Sequence, residues 1–248
     1  LGITHVIRGE DHVSNTGTQI EIIEALDGKV PVFAHHNLLT DAQGQGFSKR
    51  LGSQSIADFR EAGYEPLAIA IMATLTGTSL PIEPYESLDA IAERLELSMI
   101  SHGSARFDPA ELDGLNARLL HTMSYEAARP RLSALGLEGE AIWLLLRENL
   151  VRFPDIVEWS RLVTGPVEPV IADVDRDFLA LAKALLPPEP WDENTWSTWT
   201  NALKNATGRK GKALFLPLRL ALTGRPDGPE LKSLLVLLGR KACLDRLP

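Results

Sequence analysis

Apolar and polar positions in the first 40 residues change their period several times, as they do in α/β proteins. Ile3–Ile7 is an apolar run typical of a buried strand, and Thr16–Leu26 carries apolar residues at helical spacing. Val30–Phe33 and His36–Leu39 are two further short runs of strand type. This strand–helix–strand order predicts part of a parallel α/β sheet.

From about residue 55 the apolar period is helical. Five segments combine apolar residues three or four positions apart with a serine cap or a proline at the helix start. They are Ser55–Ala62, Pro66–Leu75, Ser87–Leu95, Asp108–Leu120 and Ser124–Leu135. Prolines at 166–169 and 187–190 and a loop at 207–212 interrupt the helical remainder. The pattern predicts a mainly α chain that begins with an α/β part.

Composition indicates the cellular compartment and excludes several kinds of site. A chain of 248 residues can form one large domain or two to three small ones. Its single cysteine, Cys243, excludes an internal disulfide framework and indicates a reducing, cytoplasmic location. Adjacent His35 and His36 point to opposite faces of a strand, so we expect no metal site and no structural zinc. There is no run of 18 apolar residues, so we expect no membrane span.

Charge is distributed unevenly along the chain. The net charge is −8, but residues 201–248 hold ten Lys/Arg against three Asp/Glu, a net of +7. The first 200 residues hold 15 basic and 30 acidic groups, a net of −15. Phosphate binding depends on the local field, so the C-terminal part remains a candidate for RNA contact, although a solvated basic helix face is the alternative. The five tryptophans, all beyond residue 140, favour a helix-bundle core over a base-stacking platform.

The segment Gly44–Gly52 is a glycine-flanked loop that contains a Ser-Lys-Arg triplet. Glycines allow close backbone approach, and Lys49 and Arg50 supply cations beside backbone N–H groups, which suits a polyphosphate. The loop is not a Walker loop, because no G-x-x-x-x-G-K-[ST] pattern occurs in the chain. Taken alone, the triplet is also compatible with an ordinary surface loop.

Arg8 follows the first predicted strand, where open α/β sheets bind their ligands. Its planar guanidinium can hold a carboxylate with two hydrogen bonds. The alternative is an ion pair with Glu10 or Asp11 on the surface.

The dipeptide Asn15-Thr16 stands at the predicted start of the first helix. Unpaired N–H groups at a helix start favour an anion, so one hypothesis is a phosphate contact. The alternative is a simple N-cap.

Several segments together resemble the second half of the catalytic domain of a class I aminoacyl-tRNA synthetase, the bacterial glutamyl-tRNA synthetase. The segments similar to that catalytic half are Thr4–His12, Asn15-Thr16, His36–Thr40 and Phe47–Arg50. Lys212–Gly224 is similar to the family's C-terminal helical region, and a third similar segment is Arg106–Asp108 with Leu112 and Leu115-Asn116. Phe47–Arg50 is similar to that family's version of the Lys-Met-Ser-Lys-Ser loop. The resemblance covers nearly all 248 residues.

The resemblance implies three domains. Residues 1–55 would be the remnant of a Rossmann-like α/β catalytic domain with the lysine loop, and 56–122 a helical connecting domain. Residues 123–248 would be an all-α anticodon-binding domain with subdomains at about 123–165 and 166–248. The first residues look like the end of a strand entering a loop, so we expect the chain to be a fragment.

The resemblance also implies an activity, the formation of glutamyl adenylate from glutamate and ATP and the transfer of glutamate to tRNA. Both steps depend mainly on positioning and charge stabilisation. Lys49 would stabilise charge between the α-phosphate and the leaving pyrophosphate, with Ser48 supporting the loop and Arg50 adding charge. ATP would enter as its Mg²⁺ complex.

Binding roles follow from the same resemblance. Arg8 would hold the amino acid. Asp11 and His12 would approach the adenosine, and the backbone of Leu38 and Leu39 would meet the adenine, while Lys49 would also contact ATP. Leu38 and Leu39 are equally compatible with a place in the core.

Contacts with tRNA are the third group of implied roles. Candidates are Asn15 and Thr16, then Arg152 as the reader of an anticodon base, and finally Arg209, Lys210 and Lys212 as phosphate contacts. The alternative for Arg152 is an ion pair with Asp155 or Glu158 on a solvated helix end.

One departure from the family's pattern limits the expectation. The family's His-Ile-Gly-His-type element is missing from these residues, so we expect the fragment to be inactive alone. The partners implied are glutamate, ATP and tRNA for glutamate, with tRNA for glutamine left open as a second substrate, and we expect a monomer without a membrane partner. The rival hypothesis is a non-catalytic helical tRNA- or RNA-binding or interaction module with a vestigial ATP loop.

Overall fold

The structure is a computed structural model that describes residues 2–41, 44, 55–101 and 103–248. The chain divides into two units, Leu1–Leu119 and Leu120–Pro248. Most of the described chain is helical, which confirms the mainly α fold with an α/β part at its start. Within the described ranges, no helix has both the length and the apolar composition needed to cross a lipid bilayer.

The first unit begins with a parallel strand pair joined by one helix. Strands β1 (His5–Gly9) and β2 (Val32–His36) pair in parallel, and helix α1 (Val13–Ala25) makes the crossover between them. The prediction that this first strand is buried is wrong, because Ile7 is 62% exposed. In the described part of the chain β1 pairs only with β2, so one helix and one strand cannot cover both faces of β1.

Helix α1 begins earlier than the sequence predicts. Glu10–His12 forms a 3₁₀ turn that continues directly into α1, so His12 and not Asn15 or Thr16 precedes the first helical residue. The backbone of His12, with φ −94° and ψ 0°, lacks the extended conformation of a side-chain N-cap. The N-cap interpretation of Asn15 and Thr16 is therefore wrong, and both lie inside the first turns of the helix.

The remainder of the first unit is a helical layer around a second parallel strand pair. Strands β3 (Leu39–Thr40) and β4 (Ala105–Arg106) pair with each other. The helices are α2 (Ile56–Glu61), α3 (Pro66–Leu75), α4 (Leu88–Ala92) and α5 (Pro109–Thr122). Their core includes the buried side chains of Phe59, Ile71, Met72, Leu112 and Leu115. Helix α5 extends three residues into the second unit.

Three helices begin at the serines that the sequence predicts as caps. Ser55, Ser87 and Ser124 accept a hydrogen bond from the backbone N–H three residues later. At Ser55 the cap is reciprocal, because the Ser55 N–H donates to the Asp58 carboxylate at 2.6 Å. This backbone bond, together with the bond from the Ser55 side chain, lowers the pKa of Asp58. The three predicted caps are confirmed.

The second unit is all-helical. Its helices are α6 (Tyr125–Ala134), α7 (Glu140–Leu146), α8 (Ile156–Thr164), α9 (Arg176–Ala184), α10 (Thr195–Thr207), α11 (Lys212–Thr223) and α12 (Leu231–Arg246). They surround two apolar clusters, one centred on Trp143 and one on Trp199, and both side chains are fully buried. The other three tryptophans are partly buried and pack against these clusters. The bundle-core interpretation of the tryptophans is confirmed.

The last turns of helix α12 contribute buried side chains to the second unit. Gly239, with φ 70° and ψ 166°, breaks the helix, and the last turns carry Cys243 and Arg246 into the core. Arg246 is 8% exposed, and its Nη1 donates to the carbonyl oxygens of Leu162 at 3.0 Å and Leu222 at 2.8 Å. Burial raises the pKa of the Cys243 thiol to about 12.

Candidate functional site

Arg8 lies near the carboxyl end of β1 and points toward helix α1. Its Nη1 donates to Gln19 Oε1 at 2.7 Å, its Nη2 to Thr16 Oγ1 at 2.7 Å and its Nε to His35 Nε2 at 3.4 Å. The guanidinium carbon lies 5.2 Å from the ring centroid of Phe33. The predicted alternative, a pair with Glu10 or Asp11, is wrong. Arg8 is held by neutral acceptors at the strand end.

Asp11 and His12 lie in the 3₁₀ turn that follows β1. Their side chains approach each other, with Asp11 Oδ2 3.7 Å from His12 Nε2. A Cβ built on Gly9 would lie 2.5 Å from Asp11 Oδ1 and 3.0 Å from Leu38 Cδ2. The absence of a side chain at Gly9 therefore lets Asp11 fold back toward Leu38. The fold thus brings Asp11 and Leu38 together beside Gly9, the residue that follows Arg8 in the strand.

Leu38 and Leu39, the predicted adenine contacts, follow strand β2. Leu38 is 37% exposed, and its carbonyl oxygen accepts the Ala105 N–H at 3.0 Å. Leu39 starts β3 and lines an apolar cavity of about 170 Å³ together with Phe59 and Met72. Leu39 is half-buried and borders apolar side chains, which is compatible with its alternative interpretation.

Asn15 and Thr16 have different surroundings on α1. Asn15 is exposed, whereas Thr16 is half-buried. The Thr16 hydroxyl accepts a hydrogen bond from Arg8 and donates one to the carbonyl oxygen of His12 at 3.2 Å. It also lies 3.1 Å from His35 Nε2. Thr16 is therefore linked to Arg8, while Asn15 faces solvent.

The lysine loop carries the predicted catalytic residues. Ser48, Lys49 and Arg50 lie outside the described residues. The prediction that residues 42–50 are more mobile than their flanks falls on the same segment, of which only Gly44 is described. The proposed roles of these residues stay predictions.

Arg152, the predicted base reader, stands immediately before a 3₁₀ turn at Phe153–Asp155. The Asp155 carboxylate accepts the backbone N–H groups of Val151 at 3.1 Å and Arg152 at 2.8 Å. Glu158, the other predicted ion-pair partner, forms an ion pair with Arg225. Both carboxylates thus have defined partners, and the base-reading role of Arg152 stays a prediction.

The turn that carries Arg152 is anchored by an aromatic stack. The ring of Phe153 lies 5.7 Å from that of Trp143 at an interplanar angle of 30°. On the same ring of Phe153, the Arg131 guanidinium carbon lies 3.5 Å from the centroid. Stacking of this kind fixes the ring, and through it the backbone beside Arg152.

The three predicted phosphate contacts differ in their surroundings. Arg209 Nη1 forms an ion pair with Asp175, and its guanidinium lies 4.3 Å from the Phe178 ring centroid. Lys210 and Lys212 are exposed on either side of Gly211. The charge of Arg209 is thus partly neutralised inside the fold, while the two lysines face solvent.

Among the described residues, no group of three or more His, Cys, Asp and Glu side chains could hold a metal ion. The histidines at 35 and 36 occupy successive positions of β2, opposite Arg8 and Gly9 of β1.

Sequence reasoning missed two residues at this site, Gln19 and His35 as partners of Arg8. Gln19 lies three positions after Thr16, so both belong to one face of the helix. The spacing of Thr16 and Gln19 indicates that they share Arg8 as a partner only when the packing of α1 against β1 is known. His35 lies directly opposite Arg8 in the strand register, which the sequence alone does not fix.

Comparison with known families matches both units. The family of class I tRNA synthetases (E and Q), catalytic domain, matches residues 1–113. The anticodon binding domain family matches residues 124–248. The catalytic-domain match thus extends beyond the boundary predicted at residue 55, and the three-domain division stays a prediction.

Curated relatives cover the whole chain. Glutamate–tRNA ligase 1 of Brucella canis is 54% identical over 253 residues, and the alignment covers 100% of this chain and 55% of that protein. Glutamate–tRNA ligase 2 of Brucella melitensis biotype 1 is 53% identical with the same coverage. The chain spans about half the length of these curated relatives, in their C-terminal part.

Solved structures share the fold. The glutamate–tRNA synthetase from Elizabethkingia anophelis superimposes with a TM-score of 0.78 at 23% identity, covering 98% of this chain and 56% of that one. A glutamate–tRNA ligase from Elizabethkingia meningosepticum, crystallised with its amino acid, gives a TM-score of 0.80 with the same coverage.

Proposed function

Because this chain belongs to the class I tRNA synthetases of the glutamate and glutamine group and carries their anticodon binding domain, we propose that it is part of a glutamate–tRNA ligase. The complete enzyme would activate glutamate with ATP and transfer it to tRNA. The observation that carries this proposal is the position of Arg8 at the carboxyl end of a parallel strand pair, one residue before Gly9, beside which Asp11 and Leu38 lie.

The amino acid would be held by Arg8. A guanidinium binds a carboxylate with two parallel hydrogen bonds, which fixes both the position and the orientation of the substrate. Asp11 and His12 would approach the adenosine, and the backbone of Leu38 and Leu39 would meet the adenine. These groups place the carboxylate and ATP side by side, and positioning of this kind supplies much of the rate of an adenylation.

The lysine loop would supply the charge stabilisation. Lys49 would contact the phosphates as negative charge develops toward the leaving pyrophosphate, with Ser48 and Arg50 supporting it. ATP would enter with Mg²⁺, which neutralises its phosphates as part of the substrate. In the complete enzyme we expect Lys49→Ala to lower the adenylation rate far more than it weakens glutamate binding.

The second unit would bind tRNA. Arg152 would read an anticodon base, and Lys210 and Lys212 would contact phosphates. Arg209 would also contact phosphate while it keeps its ion pair with Asp175. Asn15 and Thr16 would contact tRNA from the first unit. We further propose a cytoplasmic monomer, with tRNA for glutamate as substrate and tRNA for glutamine as a possible second one.

The test is glutamate-dependent exchange of labelled pyrophosphate into ATP by the complete reading frame that contains this chain. We expect Arg8→Lys to raise the KM for glutamate roughly 10- to 100-fold, because lysine keeps the charge but loses the bidentate geometry. The KM for ATP should stay the same. Arg60→Lys, at an exposed position of α2, is the matched control.

Two outcomes would contradict the proposal. Absence of exchange in the complete protein, together with intact tRNA binding, would favour the non-catalytic RNA-binding module. An unchanged KM for glutamate in Arg8→Lys would remove Arg8 from the amino-acid site. Residues 1–248 alone should give no exchange, because they lack the His-Ile-Gly-His-type element and cover about half of the related ligases.

A further inference from the structure

The guanidinium of Arg8 is held on three sides by groups that carry no negative charge. Thr16 supplies a hydroxyl, Gln19 an amide oxygen and His35 a ring nitrogen. Arginine has five N–H donors, and these contacts use one on each nitrogen. One N–H on Nη1 and one on Nη2 have no partner among the described residues.

The three acceptors are set by two rigid elements. Thr16 and Gln19 lie three positions apart on α1, and His35 is the register partner of Arg8 in β2. The Thr16 hydroxyl also lies 3.1 Å from His35 Nε2, so two of the three acceptors contact each other as well as Arg8. Because His35 Nε2 accepts the Arg8 Nε–H, this nitrogen is unprotonated in this arrangement. The guanidinium is thereby fixed in its plane from two directions.

Arg8 is also accessible. Arg8 and Gln19 line an open cleft of about 490 Å³ between α1 and the strand pair, together with Phe33 and Lys29. Within the described residues, no carboxylate forms an ion pair with Arg8. By contrast, Arg209 is paired with Asp175. The positive charge of Arg8 is thus oriented but not neutralised by the protein.

We propose that Thr16, Gln19 and His35 are positioning residues that orient Arg8 through neutral acceptors and so reserve its charge for the carboxylate of the substrate. This inference rests on the proposed function, in which Arg8 binds glutamate. A protein carboxylate in place of the Gln19 amide would hold the guanidinium equally well, but it would compete with the substrate. The neutral side chain at position 19 is therefore a specificity feature of the site.

The test is Gln19→Glu in the complete reading frame, because glutamate has nearly the same shape as glutamine and keeps the acceptor oxygen. We expect the KM for glutamate to rise roughly 10- to 100-fold, the KM for ATP to stay within about twofold, and the melting temperature to be unchanged or higher. A purely structural role predicts no change in either KM. Thr18→Glu adds the same charge at an exposed position of the same helix and is the matched control.

A second pair of variants tests the hydroxyl. Thr16→Val removes the acceptor with little change in volume and should raise the KM for glutamate. Thr16→Ser keeps the hydroxyl, so its KM for glutamate should stay close to the original value. The melting temperature of each variant identifies any general loss of folding.

Arg8→Lys separates the two levels of the proposal. If Arg8→Lys raises the KM for glutamate but Gln19→Glu and Thr16→Val leave it unchanged, the positioning role is wrong and the amino-acid role of Arg8 stands. If Arg8→Lys itself has no effect, the role of Arg8 in the proposed function fails first. A similar rise of the KM in Thr18→Glu would show a nonspecific charge effect and would overturn the inference.

Discussion

Three arginine side chains in the described part of the chain have partners of different kinds, and the partner decides what each can still bind. Arg209 is paired with Asp175, so part of its charge is already neutralised. Arg246 is buried, and its hydrogen bonds within the described part of the chain go to backbone carbonyl groups, which makes it a structural residue. Arg8 contacts neutral side chains, has two N–H groups without a partner among the described residues, and lines an open cleft. Residue type alone does not distinguish these three cases.

The two proposed kinds of tRNA contact give different effects on substitution. Arg152→Ala should reduce discrimination between glutamate and glutamine anticodons, at a cost of roughly 1–3 kcal/mol, because a lost base contact affects one sequence more than another. Lys210→Ala should weaken all tRNAs similarly and flatten the salt dependence, because an exposed lysine contacts phosphate. The measurement is tRNA binding at several salt concentrations. Equal weakening of every tRNA by Arg152→Ala would contradict base reading.

At the residue scale, the sequence predicts the location of a candidate binding side chain better than it predicts the hydrogen-bond partners of that side chain. The position of Arg8 at a strand end follows from the pattern of the first twelve residues. Its partners, Gln19 and His35, are 11 and 27 positions away, and they meet it only through helix packing and strand register. Neighbouring Glu10 and Asp11 are closer in sequence, but the turn after β1 directs them away from Arg8.

At the scale of elements, a helix start could be predicted wherever an extended residue precedes it. Ser55, Ser87 and Ser124 have ψ angles of 167°, 169° and 157°, the extended conformation in which a side chain reaches the first N–H groups. Helix α1 follows a 3₁₀ turn, so His12 directly before it lacks that conformation and the cap rule places the helix start too late. The rule fails where one helical turn continues into another.

The ends of two helices in the second unit depend on one side chain. The Leu162 and Leu222 carbonyl groups belong to the last turns of α8 and α11, where backbone acceptors lack partners within the helix. Arg246→Met should destabilise the protein by about 3 kcal/mol, because it leaves both buried acceptors unpaired while keeping an apolar side chain. Denaturant unfolding measures this.

Arg176→Met is the control for that experiment. Arg176 pairs with Asp173 at the surface, where the two side chains are 63% and 94% exposed, so its loss should cost less than about 1 kcal/mol. If Arg246→Met is as mild as the control, the contacts of Arg246 with the two helix ends do not stabilise the unit.

At the scale of the whole molecule, apolar periodicity predicts the mainly α class but gives no unit boundary, and the boundary expected at about residue 123 comes from the family resemblance alone. The structure divides at Leu119 and Leu120, inside helix α5, because that helix supplies Leu112 and Leu115 to one core and Leu120 to another. Apolar periodicity is continuous through such a helix and therefore carries no boundary signal.

The single cysteine gives a measurement of the opening of the second unit. Cys243 is fully buried, and burial raises its pKa to about 12. Only the thiolate reacts with alkylating reagents, so at about pH 8 the native protein should resist iodoacetamide while the unfolded chain reacts. Because the folded pKa is raised, the thiol favours the folded state less as pH rises from the unfolded pKa toward about 12.

Labelling followed by mass spectrometry at increasing denaturant concentration checks this expectation. The Arg246→Met variant should react at lower denaturant concentrations than the original protein. Rapid labelling of the native protein at about pH 8 would contradict the burial of Cys243.

The distribution of tryptophan has an optical consequence. All five tryptophans lie in the second unit, so fluorescence excited selectively at indole originates entirely from that half of the molecule. Trp143 and Trp199 emit from fully buried sites, while Trp159 lies against the guanidinium of Arg225, 4.3 Å from its ring centroid, on a face that also carries Glu158. An emission change on adding an anticodon stem-loop would thus report events at the helical bundle. Spectroscopic signals from the strand pair around Arg8 would need a tryptophan introduced there, and such a probe would be read against a background of known origin.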